Sequence, residues 1–243
     1  MKAEEEDIDL FAELTEEEAQ AKEARAQQLK NRVLKSLDHL SKDPCQRSLA
    51  QNRLVFRHSF SSRLRPFSIE SLLSPTECQD IVNKISHQDT EWLTSRHSAF
   101  STTDIAVSSV PELAITLPAL LADRLLSSHI APHFGFHPTR DLAFRDLFVV
   151  QYVHDAQRGL QMHTDGCLIS FNILLNPHTE FEGGGTLFEG IEDPVQIKQG
   201  DCLVHDAHVK HGGMDISRGK RLILVGFVDT VDTIKKDNIG RSM

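Results

Sequence analysis

The 243-residue sequence predicts a mainly β fold with flanking helices: a double-stranded β-helix, or jelly roll, preceded by N-terminal α-helices. Three observations predict it. Helical periodicity and capping signals occupy the chain up to about Ile130. From Asp141 onward the pattern changes to short β-like runs bounded by Gly, Pro, Asn and Asp. Helices and strands do not alternate, so the strands must fold on one another instead of forming a doubly wound parallel sheet. The hydrophobic fraction of 40% and charged fraction of 25% are those of a globular chain able to bury a sizeable core.

Residues 1–50 read as an acidic helical leader and residues 51–243 as the main domain. Of the formal net charge of −9, residues Lys2 to Glu23 carry −8, from ten acidic and two basic side chains. The rest of the chain is nearly neutral, which argues against nucleic acid as a partner. Ile8, Leu10, Phe11 and Leu14 offer a short apolar stripe, and Thr15-Glu16-Glu17-Glu18 opens a helical run. Leu29, Val33, Leu34, Leu37 and Leu40 continue it at helical spacing, ending near Asp43-Pro44. The leader is either a partner-docking helix or a solvated extension.

In the main domain, Ser74-Pro75-Thr76-Glu77 is a capping box with proline at the first helical position, launching a helix through Ile85. Trp92 to Val107 is polar and Ser/Thr-rich, which suits a loop over an entrance. A second helix is expected over roughly Pro118 to Ile130, with Leu121, Leu125 and Leu126 inward. His129, His133 and His137 recur every four residues, but Pro132, Gly135 and Pro138 should interrupt any helix there, leaving surface histidines. Strands are expected at Phe144–Val153, Leu168–Leu175, Thr186–Phe188, Val195–Ile197, Cys202–Val204 and Leu222–Val228. Gly183-Gly184-Gly185 lacks the helix start and Lys-Ser/Thr of a phosphate loop and reads as a bend between strands. No apolar run approaches a membrane span, the acidic start does not read as a secretory signal, and the four scattered cysteines read as reduced thiols. These features predict an intracellular, cytoplasmic protein with no membrane partner.

His163, Asp165 and His211 form the pattern His-x-Asp…His, with Arg221 ten residues further on. Two imidazoles and a carboxylate can occupy one face of a ferrous ion and leave three positions open. On a strand, residues two apart point to the same side, so His163 and Asp165 are expected on one face. Arg221 offers a planar cation that can grip a carboxylate through two parallel hydrogen bonds. His205 and His208 compete for the third ligand position. His211 alone combines the offset to Arg221 with the following Gly212-Gly213 turn, so it is assigned as ligand. His205 is expected as support within the core and His208 as an exposed side chain. Cys167 reads as a packed strand thiol.

The runs Phe148–Tyr152, His163-Thr164-Asp165, Ser170–Asn176, Glu182–Thr186, Gly200-Asp201 and His205…His211…Arg221 resemble the iron and 2-oxoglutarate dependent oxygenases. Within that group they look most like the catalytic domain of procollagen lysyl hydroxylases, with prolyl 4-hydroxylases more distant. The resemblance covers about residues 70 to 230 and is tightest from 144 to 228. It implies His163, Asp165 and His211 as ligands of Fe(II), and Arg221 as the partner of the distal carboxylate of 2-oxoglutarate. It also implies Tyr152 and Asn172 as hydrogen-bonding neighbours of that co-substrate. Asn172 lies among apolar strand residues, where an unpaired amide costs roughly 1–3 kcal/mol, so it needs a polar partner.

The implied reaction consumes O2 and 2-oxoglutarate, releases succinate and CO2, and hydroxylates a C–H bond on a lysyl or prolyl protein side chain. L-Ascorbate would serve as an ancillary reductant. The alternatives are an oxygenase acting on a small molecule and a non-catalytic jelly-roll binding or sensing protein.

Overall fold

The computed structural model describes residues 15–59, 65–87, 91–97 and 99–240. The stripe at Ile8, Leu10, Phe11 and Leu14 lies outside the described residues. The chain divides into two compact units, residues 1–42 and 43–243.

The first unit contains helix α1 (Glu16–Asp38). Thr15 caps it: its hydroxyl accepts from the Glu18 N–H at 3.3 Å, and the Glu18 carboxylate accepts from the Thr15 N–H at 2.9 Å. Glu16, Glu17 and Glu18 fill the first turn, where negative charge suits the helix dipole. The helix ends at Asp38, short of the expected Asp43. None of its residues is buried.

Near the start of the second unit, Arg47 and Asn52 are both buried. Arg47 Nε donates to Asn52 Oδ1 at 2.7 Å, and Asn52 Nδ2 donates to Asp141 Oδ2 at 2.5 Å, tying helix α2 (Leu49–His58) to the start of the strand region. Helix α3 (Pro75–Ser86) has the expected capping box: Ser74 Oγ accepts from the Glu77 N–H at 3.2 Å, and Glu77 Oε2 accepts from the Ser74 N–H at 2.8 Å.

The next helical stretch, Pro111–Phe134, is longer than expected and runs straight through Pro132. It comprises α4 (Pro111–Ala114), α5 (Thr116–Leu121), a π-helical segment (Ala122–Ile130) and α6 (Ala131–Phe134). The wider π turn explains the continuity. The Ala131 N–H reaches back five residues to Leu126 O, which relieves the crowding a proline ring imposes on an α-helical turn. Gly135, at φ +75°, then ends the helix. Contrary to the expectation from the sequence, this stretch is long and apolar enough to cross a membrane by length and composition. Its apolar character has a local cause, because Leu117, Leu121, Leu125, Leu126 and Ile130 are buried in the core.

Among the described residues, ten strands follow the order β1 (Phe67–Ile69), β2 (Asp104–Ala106), β3 (Leu142–Val153), β4 (Leu160–His163), β5 (Ile169–Leu174), β6 (Phe181–Gly183), β7 (Thr186–Phe188), β8 (Cys202–Asp206), β9 (His211–Gly213) and β10 (Ile216–Thr230). The major sheet runs β1-β8-β5-β10-β3-β2, with β6 added to β10, and the minor sheet runs β4-β9-β7. All these pairings are antiparallel. Together they make the double-stranded β-helix. Helix α7 (Val231–Gly240) follows β10.

Alternation along the strands builds two cores. Leu147, Val149, Ile169, Phe171, Ile173 and Leu224 pack with Phe56, Ile81, Leu121 and Leu125 on the helical side of the major sheet. Phe148, Val150, Tyr152, Leu174 and Ile223 pack with Phe188 and Val209 on its other side, against the minor sheet. This second face is the one that carries the polar residues of the site.

Two expectations need correction. Val195–Ile197 is not a strand: Val195 makes only an isolated bridge with Thr186, because Pro194 beside it has no N–H to extend a ladder. The Trp92–Val107 segment is not a loop throughout, since Asp104–Ala106 pairs with the edge of β3 and buries Ile105.

Two predictions follow from this packing. At Gly226 an added Cβ would sit 2.2 Å from the Phe171 ring and 2.9 Å from Leu147 Cδ2. Gly226→Ala should therefore overpack the helical side of the sheet and cost about 1–3 kcal/mol, read as a lower thermal midpoint. Because α1 buries none of its residues, a chain beginning at Asp43 should fold with at most a modest loss of thermal stability. Failure of that shortened chain to fold would show that α1 is part of the domain.

Candidate active site

Strands β4 and β9 place His163 directly opposite His211, with ring centroids 4.5 Å apart. Asp165 lies just beyond the end of β4 and not on it, so the pair does not share a strand as the sequence suggested. Its backbone N–H donates to Ala207 O at 2.9 Å, which turns the segment back toward the two imidazoles. Asp165 Oδ1 is 3.3 Å from His163 Nε2, and Oδ2 is 3.5 Å from His211 Nε2. One ligand atom from each of the three residues lies within 4.8 Å of the others.

The far side of each imidazole fixes its orientation. His163 Nδ1 is 2.8 Å from Gln161 O and His211 Nδ1 is 2.9 Å from Val209 O, so each Nδ1 carries the donated proton. In the neutral rings Nε2 then holds a lone pair aimed at a carboxylate. At 3.3–3.5 Å from Asp165, each Nε2 either donates a proton to the carboxylate or turns its lone pair, with the carboxylate, toward a shared cation. Burial acts against charge on both rings. At His163 burial is the largest influence, but the hydrogen bonds to Asp165 and Gln161 O and the Asp165 charge together outweigh it and raise the pKa, whereas at His211 burial prevails and lowers it. Burial would raise Asp165, but the hydrogen bond from His163, the neighbouring His211 and His205, and the hydrogen bond from Ser170 together outweigh it and hold the carboxyl below its ordinary range. The three groups thus share a demand for one cation, and this donor set fits a divalent metal.

The other histidines separate cleanly. His205 is buried, with its ring 4.2 Å from that of His211 and Nδ1 3.1 Å from Asp206 O. Burial pushes its pKa down, so it is neutral. His208 is exposed, and its Nδ1 is 3.0 Å from Asp206 Oδ1. Near the helix end, His133 stacks on Phe67 at 4.0 Å, and Cys167 is a buried thiol raised to about 12 by burial.

Deeper in the same cavity, Arg221 on β10 stands opposite Tyr152 on β3, its guanidinium 5.7 Å from the Tyr152 ring centroid. Arg221 is only 3% exposed, and among the described residues no carboxylate forms an ion pair with it. Gly184, at φ +75°, passes so close that a Cβ there would lie 3.0 Å from Arg221 Cδ. The glycine run therefore bends between β6 and β7, as expected, and also makes room for the arginine. Asn172 on β5 has a buried Oδ1 without a hydrogen-bond partner. All six residues singled out from the sequence line one cavity of about 730 Å³.

The structure adds residues the sequence did not single out. Ser170 donates from Oγ to Asp165 Oδ2 at 2.5 Å. Phe100 lies 5.0 Å from the His163 ring, and His97 and Phe227 pack on Phe148 at 4.6 and 5.2 Å. Arg96 ties this segment to the sheet through Asp104 and Asp146. Only Ser170 had a sequence signal: it shares the period-two face of Asn172 on β5.

Replacing His163, Asp165 or His211 with alanine should abolish binding of a divalent metal while preserving the fold. His208→Ala should leave the metal isotherm unchanged. Retained affinity in His211→Ala would overturn the assignment.

No protein-family model matches the chain. Over 171 residues it is 30% identical to the multifunctional procollagen lysine hydroxylase and glycosyltransferase LH3 of Rattus norvegicus, covering 65% of this chain and 22% of that protein. Over 108 residues it is 36% identical to procollagen-lysine,2-oxoglutarate 5-dioxygenase 1 of Homo sapiens, covering 43% of this chain and 14% of that protein. The chain thus spans less than a quarter of the length of either relative. A PKHD-type hydroxylase of Prochlorococcus marinus is 21% identical over 169 residues, covering 65% of this chain and 76% of that one. Among solved structures, a 2OG-Fe(II) oxygenase family oxidoreductase from Burkholderia pseudomallei aligns with a TM-score of 0.54 at 16% identity, covering 76% of this chain and 92% of that one. The non-heme alpha ketoglutarate dependent epimerase SnoN aligns with a TM-score of 0.51 at 16% identity, covering 75% and 84%. In sequence the chain is thus similar to procollagen lysine hydroxylases and PKHD-type hydroxylases, and in fold it is similar to a 2OG-Fe(II) oxygenase.

Proposed function

We propose that the chain is an iron(II)- and 2-oxoglutarate-dependent dioxygenase that hydroxylates a C–H bond of a lysyl or prolyl protein side chain. The observation that carries this reading is Arg221: a buried guanidinium with no acidic partner among the described residues, opening into the cavity of the His-Asp-His cluster. Burial opposes its charge, so an anionic ligand would relieve a cost the protein now bears. A dicarboxylate that chelates a metal at one end and meets Arg221 at the other satisfies both demands.

His163, Asp165 and His211 would hold the iron, which when bound supplies dioxygen activation coupled to oxidative decarboxylation of 2-oxoglutarate. One substrate C–H, O2 and 2-oxoglutarate balance to C–OH, succinate and CO2. The residues of the chain bind and orient. Arg221 pairs with the distal carboxylate through its fixed fork of donors. Asn172 and Tyr152 supply hydrogen bonds, and the orphaned Asn172 Oδ1 gains the partner it lacks. Phe148, Val150 and Ile223 line the wall between them and keep the chamber poor in water. Phe100, over His163, borders the path by which substrate would approach. Ascorbate would restore iron oxidised in turnovers that fail to hydroxylate.

The protein-substrate reading draws support from the procollagen lysine hydroxylases among the curated relatives. A small-molecule substrate is the rival. Succinate formation from 2-oxoglutarate with iron(II) should rise on adding lysyl or prolyl peptides. Stimulation by metabolite extracts alone would favour the rival, and no iron-dependent succinate under any condition would overturn the enzyme assignment. Arg221→Ala removes the desolvated charge pair, worth roughly 2–5 kcal/mol. Its apparent KM for 2-oxoglutarate should rise at least about thirty-fold, and an unchanged KM would refute the role.

A further inference from the structure

We infer that Ser170 is a positioning residue that holds Asp165 as a one-oxygen ligand and so keeps open a coordination position the co-substrates need. The inference rests on the metal reading of His163, Asp165 and His211 and deepens it. Asp165 lies beyond the end of β4, where its backbone is tied by one N–H bond to Ala207 O. No strand ladder fixes the direction of its side chain. Ser170 does. Its Oγ donates to Asp165 Oδ2 at 2.5 Å, which engages that oxygen and turns Oδ1 toward His163 Nε2, 3.3 Å away.

Ser170 is itself rigidly placed. It sits inside β5, paired on one side with His205 of β8 and on the other with Phe227 of β10, and it is 1% exposed. Cys167 Sγ lies 3.3 Å from its hydroxyl and limits the rotation of that group. A donor at the centre of the major sheet therefore orients a carboxylate whose own backbone lies outside any strand ladder. The consequence concerns coordination number. A carboxylate that turned could chelate with both oxygens, and one of the three positions left by a facial triad would be lost. Outer hydrogen bonds to ligands also tune affinity, typically by 10–100-fold.

The test uses the full chain and Co(II), whose visible absorption reports coordination number and geometry. Ser170→Ala should bind Co(II) about 10–100-fold more weakly, with an altered Co(II) spectrum and a thermal midpoint of the metal-free protein near that of the parent. Ser170→Thr, which keeps the hydroxyl, should restore affinity and spectrum. Ser170→Cys is nearly isosteric but a weak donor, and it should reproduce the alanine phenotype even if alanine does not fold. An unchanged isotherm and spectrum in Ser170→Ala or Ser170→Cys would overturn the inference, as would a threonine variant no better than alanine. Failure of the parent chain to take up Co(II) would instead overturn the metal reading on which the inference stands.

Discussion

The structure depends on the hydrogen bonding of one strand. β10 pairs with β3 along one edge and with β5 along the other, and its first residues pair with β6. This single strand fixes Arg221 opposite Tyr152, Val225 opposite Asn172 and Phe227 opposite Ser170. Because side chains alternate across a strand, a slip of one residue would send Arg221 to the helical core and bring Leu222 into the cavity. Register here is therefore a functional quantity. It is secured by Leu222, Leu224 and Val228, which must stay on the helical side to remain buried.

The site built on this sheet is electrostatically incomplete in a directed way. Near one end, two imidazole nitrogens and a carboxylate converge with one ligand atom each within 4.8 Å of the others. Near the other, among the described residues, a buried guanidinium pairs with no carboxylate and an amide oxygen has no donor. Each deficit costs stability when unfilled. Together they are complementary to a metal ion chelated by a short dicarboxylate, the positive end of the ligand set matching one deficit and its anionic tail the other. The apolar surface between them, from Phe148, Val150 and Ile223, lowers the local dielectric and strengthens both interactions.

Much of this was legible in the sequence. The long strands β3, β5 and β10 announce themselves by sustained β-branched and aromatic content, and the capping box at Ser74 marks α3 within a residue. All six residues chosen from spacing and resemblance reach one cavity. What stayed hidden has physical reasons. Strands of three or four residues, such as β1, β4, β6 and β9, are too short to display a period and exist because a partner edge is waiting. Pro132 signalled a break, but the π turn before it absorbed the proline. Asp165 was placed on a strand with His163, whereas it is held by contacts to Ala207 and Ser170 that sequence separation conceals.

The most direct test of the account is a crystal structure of the chain with Mn(II) and 2-oxoglutarate under anaerobic conditions. The account predicts the metal bound by His163 Nε2, His211 Nε2 and Asp165, with the distal carboxylate of 2-oxoglutarate on the Arg221 guanidinium. A metal seated instead on His208 and Asp206, or a 2-oxoglutarate carboxylate away from Arg221, would contradict it.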